Sequence, residues 1–573
     1  MSLLRKREAL PAVSDRFEKD VVIVGAGFSG LYALHKLRGL GLDVMAFERG
    51  ADVGGTWYWN RYPGARCDIE SADYSFSFSD ALQQAWRWSE RFATQPEILE
   101  YVNHVADRFD LRCGIQFDTQ VLSASYDEAA RRWQVLTDKG QLVSARYFIL
   151  ATGCLSVGNV PDIQGRDTFA GPSYHTGDWP HGGVDFTGKR VAVIGTGSSA
   201  IQSIPLIAQQ AEHLYVFQRT PNFSLPARNR PITDKQDRDI KTGYAERRRT
   251  ARYNSGGVNR IDSTVSALQV PPHEREAEYE RKWHEGGLNF ASTFMDLRVN
   301  TAANETAAEF VRRKIRGIVR DPAIAECLVP KGYPLAAKRP CVDTGYYETF
   351  NRDNVTLVDL QAAPIVEIAP SGVVTRNAAY EVDAIVFATG FDAMTGAIHA
   401  IDIVGRGGLP LRQHWAAGPR TYLGLSSTGY PNLFLVASVG SPSVLSNMMT
   451  SIEQHVDWIG NCIATMRETG ADTIEVTPAA EQAWVEHLNT LANATLFPKG
   501  TSWYMGANIP GKPRLFMPYA GGVGRYRQLC ERIEAHGYPG FRFGRPDDDH
   551  ATAAGASSPA AASFDIDSLY LKD

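Results

Sequence analysis

No stretch of about 18 consecutive apolar residues occurs in this chain of 573 residues, so no membrane-spanning helix is expected. Basic excess is missing too. Lys and Arg number 59 against 64 Asp and Glu, a formal net charge of -5, which gives no support to nucleic-acid binding. The seven cysteines (Cys67, Cys113, Cys154, Cys327, Cys341, Cys462 and Cys530) form no C-x-x-C pair, and no His/Cys spacing suits a metal. They read as reduced thiols in a cytosolic setting. The first residues, MSLLRKREALPAVSDRFEKD, lack the apolar core of a secretory signal, and their acids argue against a transit peptide. The expectation is a soluble, cytoplasmic protein with no metal and with neither membrane nor nucleic acid as partner. At this length more than one domain is expected.

What is present is a repeated unit. Val21 to Val24 is a β-branched run suited to a parallel strand buried on both faces. Gly25, Gly27 and Gly30 follow, then Leu31, Leu34 and Leu37 at helical spacing, then a second strand from Asp43 to Phe47 ending at Glu48. The unit recurs in KRVAVIGTGSSAIQSIPLIAQQAEHLYVFQRT, with Gly195, Gly197 and Ala200 at the turn and Arg219 where the first copy carries its acid. Each copy is followed at a distance by β-rich sequence closing on Ala-Thr-Gly, with Lys139-Gly140 and Ser371-Gly372 as hairpin turns. These features predict an α/β protein with two Rossmann-like dinucleotide-binding domains, the second inserted in the first. Residues 233 to about 330 are charged and strand-poor, which predicts a helical insertion in the second domain. The expected boundaries are an N-terminal extension at 1–16, the first domain at 17–157 and 387–545, the second at 158–386 with its helical insertion at about 225–335, and a disordered tail at 546–573.

A glycine turn between a strand and a helix lets backbone approach a pyrophosphate at the positive end of the helix. Glu48 is placed to accept ribose hydroxyls, which suits FAD. Arg219 in the same place attracts a 2′-phosphate, so NADPH is favoured over NADH at the second turn. After Glu48, a C-x4-C pair would mark flavin disulfide chemistry. The stretch VGGTWYWNRYPGARCD has only Cys67.

That stretch, which contains Gly55, Trp57, Tyr62-Pro63-Gly64 and Asp68, and the later FAGPSYHTGDWP at 169–180, match two fingerprints of the Baeyer–Villiger monooxygenases. From about residue 17 to 545 the chain resembles that family, with the phenylacetone, steroid and cyclohexanone monooxygenases as the nearest subgroup. The resemblance implies FAD and NADPH as cofactors and a small ketone and O2 as substrates. It further implies oxygen insertion beside the carbonyl through a flavin-bound peroxide anion and a tetrahedral adduct, giving an ester or lactone. Arg339 would be the catalytic cation beside that anion, positioned by Asp68, because a guanidinium holds its proton near neutral pH. Lys338 would contact the 2′-phosphate, and Trp503 would lie on a mobile loop that contacts the nicotinamide cofactor. Residues 169–180 would form a linker beside the second domain, with His175 and Trp179 coupling its position to the flavin site. Beside Gly25, Gly27, Gly30 and Glu48, further flavin contacts implied are Ser29, Gly55, Thr56, Trp57, Tyr74, Val121 and Met448. Beside Gly195, Arg219 and Lys338, those for NADPH are Arg66, Thr196, Gly197, Ser198, Ser199, Gln202 and Thr220. The loop SPSVLSN at 441–447 would line the pocket. Two alternatives stay open on the residues alone: a flavin-containing monooxygenase oxidising sulfides or amines, and a flavin redox sensor. Oligomeric state and the particular ketone are not legible.

Overall fold

The computed structural model describes residues 10–545, 564 and 566. The expected first strand is there but longer, running over Asp15–Val24. Val21, Val22 and Ile23 are fully buried, each worth about 1.5–3 kcal/mol of apolar burial. This strand lies between Gln141–Leu150 and Val44–Phe47, parallel to both. The full sheet runs Asp402–Val404, Val121–Asp127, Arg132–Thr137, Gln141–Leu150, Asp15–Val24, Val44–Phe47, Ile115–Gln116, with Leu433–Leu435 also pairing with Gln141–Leu150. Its strands thus come from before residue 151 and from after residue 401.

Between those stretches the chain builds a second sheet, parallel throughout: Val355–Asp359, His213–Gln218, Arg190–Ile194, Ala384–Phe387 and Ser173–His175. The fold is therefore α/β with two Rossmann-like units, one built from sequence lying within the other. The fingerprint segment at 169–180 departs from a plain linker, because Ser173–His175 is the edge strand of this second sheet. An edge strand pairs on one side only, so Ser173 can stay exposed while His175 is buried. Trp179 is 2% exposed, and its backbone N–H donates to the carbonyl of Trp59 in the first unit.

The helical stretch holds Asp234–Thr242, Tyr244–Tyr253, Pro272–Glu285, Thr301–Ile318 and Pro322–Leu328. Its starts follow capping chemistry: Thr233 and Gln236 form a reciprocal capping box, and Asn300 and Asp321 accept first-turn N–H groups. A short parallel ladder of Ser224–Pro226 with Cys341–Asp343 closes the insertion at its base and fixes the place of Arg339 just before it. Most of the tail at 546–573 lies outside the described residues. Of it, Ile566 packs into the first core and Phe564 against Tyr422.

Candidate functional site

The two glycine turns are built alike. Gly25 has φ of 103° and Gly195 of 113°, in the region that side chains avoid. A Cβ at Gly25 would lie 2.6 Å from the carbonyl oxygen of Ala151, and one at Gly195 would lie 2.5 Å from that of Ala388. Both carbonyls belong to the Ala-Thr-Gly closures, so in each unit the closure presses against the turn. Gly27 and Gly197 cap the helices Phe28–Gly39 and Ser198–Gln210; neither helix has a side-chain cap or an acid in its first turn. Their leading N–H groups are left for an anion.

Glu48 lies beside the first turn. Its two carboxylate oxygens accept the backbone N–H groups of Ala26 and Gly50, each at 2.8 Å. Burial raises its pKa more than these bonds lower it. Ser29 and Gly30 are buried in the first turn of the adjoining helix. Gly55 packs against the Gly27 backbone, and Thr56 and Trp57 begin the short helix Thr56–Trp59. Trp57 Nε1 donates to the Tyr74 hydroxyl at 3.2 Å. Val121 is buried at the start of its strand, and Met448 heads the helix Met448–Thr469 between two cores.

At the second turn, Thr196 donates to the carbonyl of Thr220 at 3.1 Å, and the Ser199 hydroxyl lies 3.1 Å from that of Thr176. Ser198 stays exposed, its hydroxyl 3.3 Å from Cys341 Sγ. Gln202 accepts the Tyr62 hydroxyl and donates to the carbonyl of Arg66, tying this helix to the first unit. The Arg66 guanidinium is instead engaged by Glu90 at 3.2 Å and by the Phe92 carbonyl, so only its backbone meets this helix. Arg219 is exposed and Lys338 half-buried, the Lys338 ammonium 4.4 Å from the centre of the Tyr333 ring. Burial, then the charge of Arg219, lowers the Lys338 pKa. Among the described residues neither cation has a carboxylate partner at ion-pair distance.

Arg339 and Asp68, 271 positions apart, meet as a bidentate pair: Nε and Nη2 donate to Oδ2 and Oδ1 at 2.6 and 2.8 Å. Nη1 donates to the Val444 carbonyl at 2.8 Å, which ties the pair to the 441–447 loop. Burial alone would lower the Arg339 pKa; Asp68, and after it the Tyr504 hydroxyl, reverse this and hold the guanidinium above its usual range. Tyr504 is buried, and the half-buried Trp503 ring lies 4.4 Å from it, centre to centre. Sequence reasoning named Trp503 and passed over its neighbour. It also passed over the Val444 carbonyl and Arg298, which lines the same cavity as Arg339. A tyrosine next to a named tryptophan was the one available signal. A backbone carbonyl leaves none.

These residues fit both cofactors. The first turn with Glu48 offers a close backbone cradle, free N–H groups and a buried acid, as an adenine dinucleotide with a free ribose needs. The second offers the same cradle with two uncompensated cations, which suits a 2′-phosphate. No group of three or more His, Cys, Asp or Glu among the described residues could hold a metal ion.

Residues 18–228 match the family model described as FMO-like, flavin-binding monooxygenase-like. The chain is 44% identical to a Baeyer–Villiger monooxygenase of Pseudooceanicola batsensis, over 91% of this chain and 95% of that one. It is 42% identical to a cyclohexanone 1,2-monooxygenase of an Acinetobacter species, over 92% and 97%. The structure of an oxidized steroid monooxygenase bound to NADP superposes with a TM-score of 0.89 at 54% identity, covering 92% of this chain and 99% of that one.

Proposed function

Because this chain belongs to the Baeyer–Villiger monooxygenases, which use NADPH and O2 to insert one oxygen atom beside a ketone carbonyl, we propose that Arg339 and Asp68 form its catalytic centre. The enzyme is an NADPH-dependent flavoprotein that takes FAD and NADPH and turns a small ketone into an ester or lactone. Bound at the first turn, FAD supplies oxygen activation; bound at the second, NADPH supplies the hydride that reduces it. Gly25, Gly27, Ser29, Gly30 and Glu48 would hold the first, with Gly55 to Trp57, Tyr74, Val121 and Met448 around it. Gly195 to Ser199, Gln202, Arg219, Thr220 and Lys338 would hold the second, with Trp503 closing over it. Arg66 contributes through its carbonyl, which fixes Gln202. This division assigns 17–157 and 387–545 to FAD and 158–386 to NADPH.

The observation that carries the reading is the bidentate pair. Asp68 spends both oxygens on one guanidinium and so sets its plane and position. The charge stays on Arg339 throughout turnover, where it stabilises negative charge that develops on oxygen as the carbonyl is attacked. The Val444 carbonyl and the Tyr504 hydroxyl bind the same guanidinium, and the Trp503 ring packs on that of Tyr504. The relatives favour ketones over the sulfide and amine alternative. Seven free cysteines, five of them buried, support a reducing, cytoplasmic location. No helix among the described residues is long and apolar enough to cross a membrane.

Arg339→Ala tests the reading. FAD content and NADPH-driven flavin reduction persist, while ester formation from a neutral ketone falls by at least about 10²–10³. Ester formation at the parent rate would remove Arg339 from the centre.

A further inference from the structure

The cavity beside Arg339 carries a second guanidinium. Its volume is about 90 Å³, and its walls include Asp68, Arg339, Arg260, Arg298, Phe92 and Leu445. The carboxylates around it are matched. Asp68 pairs with Arg339, Glu70 with Arg91 and Arg247, Asp73 with Arg247, and Asp262 with Arg260. Arg298 differs. Among the described residues no carboxylate lies at ion-pair distance from it, and its guanidinium donates only to the Ser292 hydroxyl, at 2.9 Å. A guanidinium has five N–H donors, so most of its donor capacity is left for the cavity.

Its base is fixed. The Arg298 carbonyl accepts the N–H of Leu496, and the preceding carbonyl, of Leu297, accepts the buried Asn304 amide at 2.7 Å. Burial, then the nearby Arg260, lowers the Arg298 pKa to about 10, as an unmatched cation should show, yet the group stays charged near neutrality. An arginine in a cavity wall, with every nearby acid already engaged, is a receptor for a planar anion.

We propose that Arg298 binds a carboxylate on the substrate, so that this enzyme prefers oxo-carboxylic acids to their neutral counterparts. The proposal rests on Arg339 being the catalytic arginine and deepens that reading. The two guanidiniums divide the substrate between them, Arg339 at the carbonyl and Arg298 at the carboxylate, in a cavity whose walls also offer the apolar Phe92 and Leu445. The reaction balances as for any ketone: oxo acid, O2, NADPH and a proton give the ester acid, water and NADP+.

The test compares 5-oxohexanoate with its methyl ester in the holoenzyme, scored by product identity as well as NADPH consumption. In the parent enzyme kcat/KM favours the acid by about 10-fold or more, as a charge-assisted bond predicts. Arg298→Leu brings the ratio to about one, chiefly through KM of the acid, and Arg298→Lys keeps part of it. A general loss of folding lowers both substrates together and leaves the ratio unmoved. Rising ionic strength lowers the parent ratio, a readout that needs no variant. A parent ratio at or below one, or a ratio unchanged in an Arg298→Leu enzyme that turns over the methyl ester as the parent does, overturns the proposal while leaving ester formation intact. Absence of any inserted product from either substrate would overturn the catalytic reading itself, and the proposal with it.

Discussion

Arg339 and Lys338 are chain neighbours with opposite surroundings, and the difference decides their work. Arg339 is matched by a carboxylate and locked in plane; among the described residues Lys338 has an aromatic face and another cation near it, and no carboxylate at ion-pair distance. An ammonium kept close to Arg219 without an acid is destabilised until an anion arrives, which is what a 2′-phosphate brings. Lys338→Ala is therefore expected to raise KM for NADPH about 10–100-fold and to leave KM for NADH nearly unchanged, since one charge-assisted hydrogen bond is worth about 1.5–3 kcal/mol. Steady-state kinetics with both nucleotides decides it, and an equal rise for both would place Lys338 elsewhere. Much at this scale could be read in the residues. Glu48 and Arg219 were legible because each ends a strand–turn–helix–strand unit, so local order fixes where they stand. Arg339 and Asp68 were legible only through the family resemblance, because 271 positions separate them and no periodicity joins such a pair. Tyr504 and Arg298 escaped because their neighbours come from separate loops whose meeting depends on the packed core. Arg66 was read as a nicotinamide-side contact; its carbonyl meets the second helix, but its guanidinium meets Glu90, a partner 24 positions on that no local rule selects.

At the scale of elements, the two turns are near duplicates, and the duplication can be separated by substitution. Each turn's first glycine faces the alanine carbonyl of its own closure at almost the same distance. Gly25→Ala and Gly195→Ala introduce the same clash in different units. A left-handed backbone costs a non-glycine residue about 1–2 kcal/mol, and overpacking about 1–3 kcal/mol more. Gly25→Ala should lose FAD, visible as a colourless preparation. Gly195→Ala should keep the yellow flavin yet need at least about 10-fold more NADPH for half-maximal flavin reduction. If both variants lost flavin equally, the turns would not serve separate cofactors. The segment at 169–180 belongs to this scale too. The resemblance implied a linker, and the segment's polar character also suits an edge strand, which needs one partner and one buried side chain. Composition alone does not separate those outcomes; the strand Ala384–Phe387, arriving some 200 positions later, does.

Across the whole molecule, the first sheet depends on chain segments from both sides of the second, so the return stretch after residue 401 must be pinned to what was made earlier. His455 does a complementary job, holding that return stretch together within itself. It is fully buried; its Nδ1 accepts the N–H of Ala437 at 3.0 Å, and its Nε2 lies 2.9 Å from the hydroxyl of Tyr526, which itself donates to the Leu423 carbonyl. One ring thus joins the helix Met448–Thr469, the helix Val523–Ala535 and the turn after the strand Leu433–Leu435. Burial lowers its pKa from 6.5 to about 3, because a charged ring there would lose water and would carry a proton where Nδ1 must accept. The folded pKa is depressed, so the neutral ring's contribution is fully present above pH 6.5 and is lost as the pH falls toward 3. At 1.36 kcal/mol per unit, the loss is on the order of several kcal/mol. Unfolding midpoints measured from pH 7.5 to 4 should decline accordingly. His455→Asn keeps an acceptor for Ala437 but cannot be protonated, so it should unfold more easily at pH 7.5 and show a flatter decline with acid. A decline as steep in that variant as in the parent would assign acid sensitivity to other groups and free His455 from this role.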